Sequence, residues 1–294
     1  MKPTIEPVDK STSLSWHFVD YHCDHTVRES HCGWHYHNEI ELVVYQDPHG
    51  VVSAKTVLGD YIGDAEHNCA YLMGPGLPHM VSSTASATEE HPASSHVLWL
   101  DQCWLESLIA TVPELSPISA LLVRAHKGLK FSPDTGEKLH ALMRDACDLK
   151  PSVQFSHVID ILLLLCEDKA AKPLTSRPYC FYVAKDSPIN DKLEKAQQFI
   201  ADHYHKPLGV DDICRHLHMS ESSVYRMFEK HFSESFSDHL KRYRLGKACE
   251  LLMRTKTPIA VVAEKVGFSN LSNFNRQFKA IKNMTPMAFR KQFL

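Results

Sequence analysis

The chain has 294 residues, 44% of them hydrophobic, and a formal net charge of −3 at pH 7. That length holds about two compact domains, the start Met1–Pro7 has no apolar core of signal-peptide length, and the longest strongly apolar run, Ile161 to Cys166, is far short of the ~20 residues of a membrane helix. Nine cysteines without a CxxC pair argue against a disulfide framework and for reduced thiols in the cytosol.

Residues 16–100 alternate short apolar runs, such as Ile40–Tyr45, Val51–Leu58 and His96–Leu100, with turn-forming stretches at 47–50, 59–60 and 74–76. Many short strands between turn residues predict an antiparallel barrel or sandwich. Within it, His35, His37, Glu39 and Glu41 fall on one face of a strand by the period of two, and His79 follows the Gly74-Pro75-Gly76-Leu77-Pro78 turn. Trp34, Tyr36 and Tyr45 add aromatic and hydroxyl groups. Three imidazoles and a carboxylate (His35, His37, Glu41, His79) suit a divalent transition metal, while the wider set Trp34, His35, His37, Glu39, Glu41 and His79 suits a polar small molecule.

From about residue 102 the apolar period becomes helical. Leu139, Leu142, Met143, Ala146 and Leu149 form one stripe, and Val158, Ile161, Leu162 and Leu165, widened by Ile159, Leu163 and Leu164, form another. A helix apolar on so many sides must be buried, in its own domain or against a second copy. Residues 169–190, with three prolines and no period, read as a linker. Beyond it the balance of charge reverses: Asp191–Leu294 holds 18 Lys+Arg against 11 Asp+Glu, a net +7, which leaves −10 for 1–190 and points to a polyanion as partner of the last hundred residues.

Those residues contain a near-repeat. Ile213-Cys214, Leu217, Met219 and Ser220 return 49 positions later as Val262-Ala263, Val266, Phe268 and Ser269, and past the turn Val224, Arg226 and Phe228 return 50 positions later as Phe274, Arg276 and Phe278. Each copy reads as helix, turn, helix: a small residue lets the helices cross, an apolar residue plugs the crossing, and Ser220 or Ser269 caps the second helix. With Val224 and Phe228 (Phe274 and Phe278) turned inward, Ser222, Tyr225 and Arg226 (Ser272, Asn275 and Arg276) face outward, as side chains that reach base edges in a major groove must. Phe236 through Arg254 reads as one helix joining the copies, so that one chain spans two successive grooves.

Residues 191–294 resemble the DNA-binding domain of the AraC/XylS regulators through Pro207-Leu208, Met219-Ser220, Arg226-Met227-Phe228, Arg244-Leu245, Val266-Gly267-Phe268, Phe278-Lys279 and Thr285-Pro286. Glycines usual in that family after the recognition helices are replaced by Ser233 and Asn283, of which Asn tolerates the left-handed conformation better. The His35, His37, Glu41 and His79 set resembles the metal motif of cupin barrels. Together the resemblances imply an α+β chain: a cupin-like effector-sensing β-barrel (1–100), a helical dimerisation segment (101–168), the linker (169–190) and an all-α double helix-turn-helix domain (191–294). They further imply a bacterial cytoplasmic transcription regulator, by default an activator. Its partners would be a double-stranded DNA operator, a small polar effector such as a sugar, RNA polymerase and a second copy of itself, with no membrane. The alternative is a metal-dependent cupin enzyme fused to a DNA-binding tail.

Overall fold

The computed structural model describes residues 14–23, 29–85, 88, 90–179, 188–232 and 234–292. They divide into two compact units, the first made of most residues up to Tyr179 and the second of those beyond it, with Gly33–His35 grouped with the second. The first unit holds ten strands: β1 (Trp16–Cys23), β2 (Glu29–His35), β3 (Ile40–Gln46), β4 (Val52–Leu58), β5 (Tyr61–Asp64), β6 (Cys69–Met73), β7 (His79–Ala85), β8 (Ala93–Leu100), β9 (Leu129–Lys130) and β10 (Lys172–Pro173). It also holds the helices α1 (Gln102–Thr111), α2 (Pro117–Ala125), α3 (Pro133–Met143) and α4 (Pro151–Glu167). The described strands form two antiparallel sheets, six-stranded in the order β1-β8-β3-β6-β9-β10 and four-stranded in the order β2-β7-β4-β5.

The strand pattern allows a barrel or a sandwich and the cupin resemblance implies a barrel; the described strands form two separate sheets rather than one closed barrel. The reason lies in the alternation of β3, β6 and β8. Leu42, Val44, Ala70, Leu72, Leu98 and Leu100 join one core with Leu139, Met143, Val158, Ile161, Leu162 and Leu165 of the helices. Val43, Tyr71 and Val97, one position on, join a second core with Ala54 and Leu58 of β4. A sheet buried on both faces needs a cover on each side, which here is a helical layer on one and the smaller sheet on the other. The helices expected as a separate dimerisation segment therefore bury most of their stripes in the chain's own core, although Leu149 and, on α4, Val153 and Phe155 stay exposed.

Capping follows chemistry that the sequence carries openly. Asp101 accepts from the Trp104 amide at 3.1 Å ahead of α1, and Ser132 from the Thr135 amide at 3.3 Å ahead of α3. The residues read as the start of a linker are tied down instead: Leu174 N–H donates to the Gly128 carbonyl at 3.0 Å, Thr175 N–H to that of Lys127 at 2.9 Å and Tyr179 N–H to that of His126 at 2.7 Å. Residues 180–187 lie outside the described residues.

The second unit contains α5 (Pro188–His203), α6 (Val210–Leu217), α7 (Glu221–Phe232), α8 (Phe236–Arg254), α9 (Ile259–Lys265), α10 (Leu271–Lys282) and α11 (Pro286–Arg290). The repeat is visible in its packing. Ile213, Val224 and Phe228 of the first copy are fully buried, as are Val262, Phe274 and Phe278 of the second, and α8 is the single connecting helix anticipated. Among the described residues no helix of the chain is long and apolar enough to cross a membrane.

Both helix-turn-helix turns end their first helix in the same way. Met219 N–H reaches back to the Cys214 carbonyl at 3.0 Å and Phe268 N–H to that of Ala263 at 2.9 Å, with His218 (φ 52°) and Gly267 (φ 90°) left-handed between. That six-to-one bond around a left-handed residue defines a Schellman cap. A Cβ at Gly267 would lie 2.5 Å from the Tyr204 carbonyl oxygen, whereas the first copy places a histidine in the unfavourable conformation. Asn283 after α10 is left-handed as anticipated (φ 57°), and Ser233 lies outside the described residues. Gly267→Ala is expected to lower stability by about 1–3 kcal/mol and His218→Gly to raise it by up to about 1 kcal/mol. Urea denaturation of the full chain measures both, and equal effects of one sign would show that backbone strain is not the cause.

Candidate functional site

The sequence brings His35, His37, Glu39 and Glu41 onto one face of one strand; the structure does not. β2 ends at His35, the chain turns through His37–Glu39, and β3 begins at Ile40 in the other sheet. The three groups His37, Glu41 and His79 meet because this crossover places the first turn of β3 beside the start of β7. The loop before His79 is fastened to the crossover by Gly76 N–H donating to the His37 carbonyl at 2.9 Å, with Gly76 at φ 78°. His35 offers a ligand atom to the same group, and all four ligand atoms lie within 4.8 Å of one another, every residue buried. Glu39 contributes through its main chain, its carbonyl accepting from His37 Nδ1 at 3.0 Å, and through its negative charge, which favours the His37 imidazolium. Trp34 is turned by strand alternation to the face opposite His35.

The imidazoles share a feature that sequence does not reveal. His35 Nδ1 lies 2.7 Å from the Gly33 carbonyl oxygen, His37 Nδ1 3.0 Å from that of Glu39 and His79 Nδ1 2.8 Å from that of Leu77. A carbonyl only accepts, so each Nδ1 carries the proton and each Nε2 is the atom turned to the group. Metal-ligating histidines are oriented in this way. Glu41 Oε2 receives His37 Nε2 at 2.7 Å and stands 3.6 Å from His79 Nε2. It also accepts from the indole N–H of Trp99 at 2.8 Å. Trp99 was missed from sequence because it is 58 residues away; only the β3–β8 register, which pairs Glu41 with Trp99, brings it there.

Burial opposes the charge on Glu41, but the neighbouring charges and hydrogen bonds of His79 and His37 win and hold its carboxyl well below the usual range. Burial likewise works against the His37 imidazolium, and the hydrogen bond and charge of Glu41 outweigh it, so its pKa is raised. The two residues are thus an ion pair in the interior. Burial pushes the phenols of Tyr36 and Tyr45 upward, Tyr45 further through the charge of Glu41, which keeps both neutral as hydrogen-bonding groups. The donor set fits Zn, Ni, Fe or Mn: three Nε2 atoms and one carboxylate, with the proton on His37 Nε2 giving way to the cation.

The helical unit presents the other candidate surface. Ser222, Tyr225 and Arg226 on α7 and Ser272, Asn275 and Arg276 on α10 are all exposed. Arg226 Nε donates to the Ser222 carbonyl at 3.3 Å and Arg276 Nη2 to Asn273 Oδ1 at 3.0 Å, so both guanidinium groups lie along their helices with donors left over. Ser220 accepts from the Ser223 amide at 3.3 Å, as anticipated for the cap of α7. The cap of α10 is Asn270, which accepts from the Asn273 amide at 3.1 Å, and not Ser269. The extra residue in the second turn, which shifts the repeat from 49 to 50, moves the cap one place on.

Two exposed helices of equal length, each following a helix closed by the same six-to-one cap, define a duplicated helix-turn-helix unit. Residues 213–292 match the family described as a helix-turn-helix domain. The chain is 30% identical over 159 residues to the regulatory protein PocR of Salmonella typhimurium, covering 48% of this chain and 51% of that protein. It is 26% identical over 148 residues to the lactose operon transcription activator of Staphylococcus xylosus, covering 50% and 53%. The crystal structure of a transcriptional regulator from Chromobacterium violaceum, described as containing an AraC-type DNA-binding domain, is 27% identical over 35% of this chain and 92% of its own, with a TM-score of 0.34. The chain carries a helix-turn-helix domain over residues 213–292. It spans about half the length of these curated relatives.

Because Glu41 neutralises His37 in the interior, Glu41→Ala is expected to cost about 3–5 kcal/mol near pH 6, where His37 keeps its proton. The sign follows from the shifts. The lowered carboxyl pKa contributes stability above the ordinary carboxylate range and loses it as pH falls through the folded value. The raised imidazole pKa contributes below its ordinary value and loses it as pH rises through the folded one. Denaturation at pH 6 and pH 8 should therefore show the smaller loss at pH 8, where the lone imidazole gives up its proton.

Proposed function

We propose that this chain is a ligand-responsive, sequence-specific DNA-binding transcription regulator that reads two successive major grooves of its operator with α7 and α10. The observation that carries the reading is the match of Ser222, Tyr225 and Arg226 with Ser272, Asn275 and Arg276, exposed at equal places on two buried-core scaffolds. Arginine reads guanine O6 and N7, asparagine reads adenine N6 and N7, and serine reads several bases. The net +7 of residues 191–294 supplies phosphate attraction.

The sheet unit is the sensor in this reading. His35, His37, Glu41 and His79 hold a divalent transition metal, and an oxygen of a small polar effector completes its coordination. Glu39, which with Trp34 belongs to the effector set anticipated from sequence, acts there through its carbonyl, which holds His37. The name of the Staphylococcus xylosus relative, a lactose operon activator, supports activation and a sugar as effector. RNA polymerase and a second copy of the chain are the protein partners the AraC-type domain brings with it. For the effector to act, it must bind one arrangement of the chain better than the other.

Arg226→Ala and Arg276→Ala are each expected to weaken operator binding by roughly 1–3 kcal/mol with the fold intact. Fluorescence anisotropy with a labelled duplex measures this, and wild-type affinity in both variants would sink the recognition-helix assignment. Metal analysis of the purified chain should find one divalent transition metal per chain, and Trp99→Phe, which removes the donor to Glu41, should lower metal affinity about ten- to a hundredfold. The same metal content in His79→Ala as in wild type would remove the metal from the reading. Metal together with substrate turnover would move the sheet unit to the enzyme alternative.

A further inference from the structure

We propose that Glu221 and Leu271, the first residues of α7 and α10, are specificity-determining, Glu221 accepting from the exocyclic amine of a cytosine and Leu271 packing on the methyl of a thymine. The inference rests on the reading of α7 and α10 as recognition helices. It adds that the two copies, alike in scaffold, read unlike half-sites.

The two positions correspond by the offset of 50 that relates Arg226 to Arg276, and each follows directly on its capping residue, Ser220 or Asn270. Base contacts of a helix-turn-helix come chiefly from the N-terminal part of the second helix. Leu271 is 42% exposed at this place, while the opposite face of α10 buries Phe274 and Phe278. A leucine left on a surface that otherwise carries Ser272, Asn275 and Arg276 is of no use to the core. Against a thymine it covers the one apolar group that the major groove displays.

Glu221 poses the opposite problem. It is exposed, and a carboxylate on a face that approaches phosphates is repelled by them unless it reaches a donor on a base. Among the described residues no ion pair reaches it; instead Glu221 Oε1 accepts from the Tyr225 hydroxyl at 3.0 Å. That bond uses up the only donor of the phenol and fixes both side chains, so the pair offers acceptors alone. Cytosine N4 is the donor that a glutamate takes in the major groove. A negative first-turn residue also favours the N-terminus of its helix through the macrodipole, but that effect acts on stability and carries no preference among bases. The second copy has no acidic residue in its first turn.

The test is selection of binding sequences from a randomised duplex pool by the full chain. Wild type should retain a cytosine at one position of one half-site and a thymine at one position of the other. Glu221→Gln should turn that cytosine toward adenine, the base that glutamine reads, and Leu271→Ala should abolish the thymine preference alone. A second measurement needs no variant: deoxyuridine in place of that thymine removes one methyl and should weaken wild-type binding about three- to fourfold. It should leave Leu271→Ala binding unchanged. Unaltered base preferences in both variants, or no effect of the missing methyl, overturn the proposal. They do so without touching the recognition-helix reading, which stands or falls with Arg226→Ala and Arg276→Ala.

Discussion

A carboxylate buried between two sheets has to be neutralised, and the first unit is arranged around doing so at Glu41. The residue sits on a strand whose neighbours Leu42 and Val44 are committed to the helical layer, so alternation leaves its side chain nowhere to go but the interior. Unpaired, such a charge would cost far more than a small domain has to spare. His37, His79 and Trp99 come from three places in the chain and all converge on that one carboxylate. Each histidine is in turn held by a carbonyl through its other nitrogen. The result is a rigid polar group with every orientation set in advance, as a binding site needs. A structural ion pair alone would not require three imidazoles to present the same nitrogen, and this is why the group reads as a site.

The helical unit obeys a different constraint. The surface proposed for DNA recognition must stay wet until DNA arrives, so its precision cannot come from burying the residues proposed to read bases. It comes from the scaffold beneath them. Val224 and Phe228, or Phe274 and Phe278, fix the rotation of each helix, the Schellman turn fixes its start, and α8 joins the two. The surface is then free to differ between copies while the core stays the same.

Much of this was legible in the sequence. The helical period gave the stripes of α3 and α4, the repeat gave both helix-turn-helix units, and the four residues His35, His37, Glu41 and His79, which the structure brings together, stand out in the sequence as one set. What failed did so for identifiable reasons. The period of two was carried through His35–Glu41 as though it were one strand, because nothing in local alternation reveals that the chain changes sheets at His37. The barrel rests on the cupin resemblance, since the strand pattern leaves barrel and sandwich open and does not say which edges pair. Trp99 depends on cross-strand register. The left-handed His218 was hidden because the residue itself gives no sign of its conformation; only its alignment with Gly267 does. Ser269 was chosen as a cap by analogy with Ser220, although the 50-residue offset already pointed to Asn270.

With α7 and α10 as the recognition helices proposed above, the difference between the two copies sets how a single chain lies on DNA. Symmetric helix-turn-helix dimers meet palindromic sites, and their orientation carries no information. Here the symmetry is broken within one chain: Tyr225 stands where Asn275 does, and Glu221 where Leu271 does. A chain that reads two unlike half-sites in covalently fixed order binds in one direction only. Turned around, it would set an acceptor against a methyl and a leucine against an amine, leaving polar groups without partners at each. Direction is what an activator needs, since a polymerase starts on one side of it and not on the other. The duplicated scaffold therefore supplies strength of binding, and the dissimilar residues upon it supply orientation.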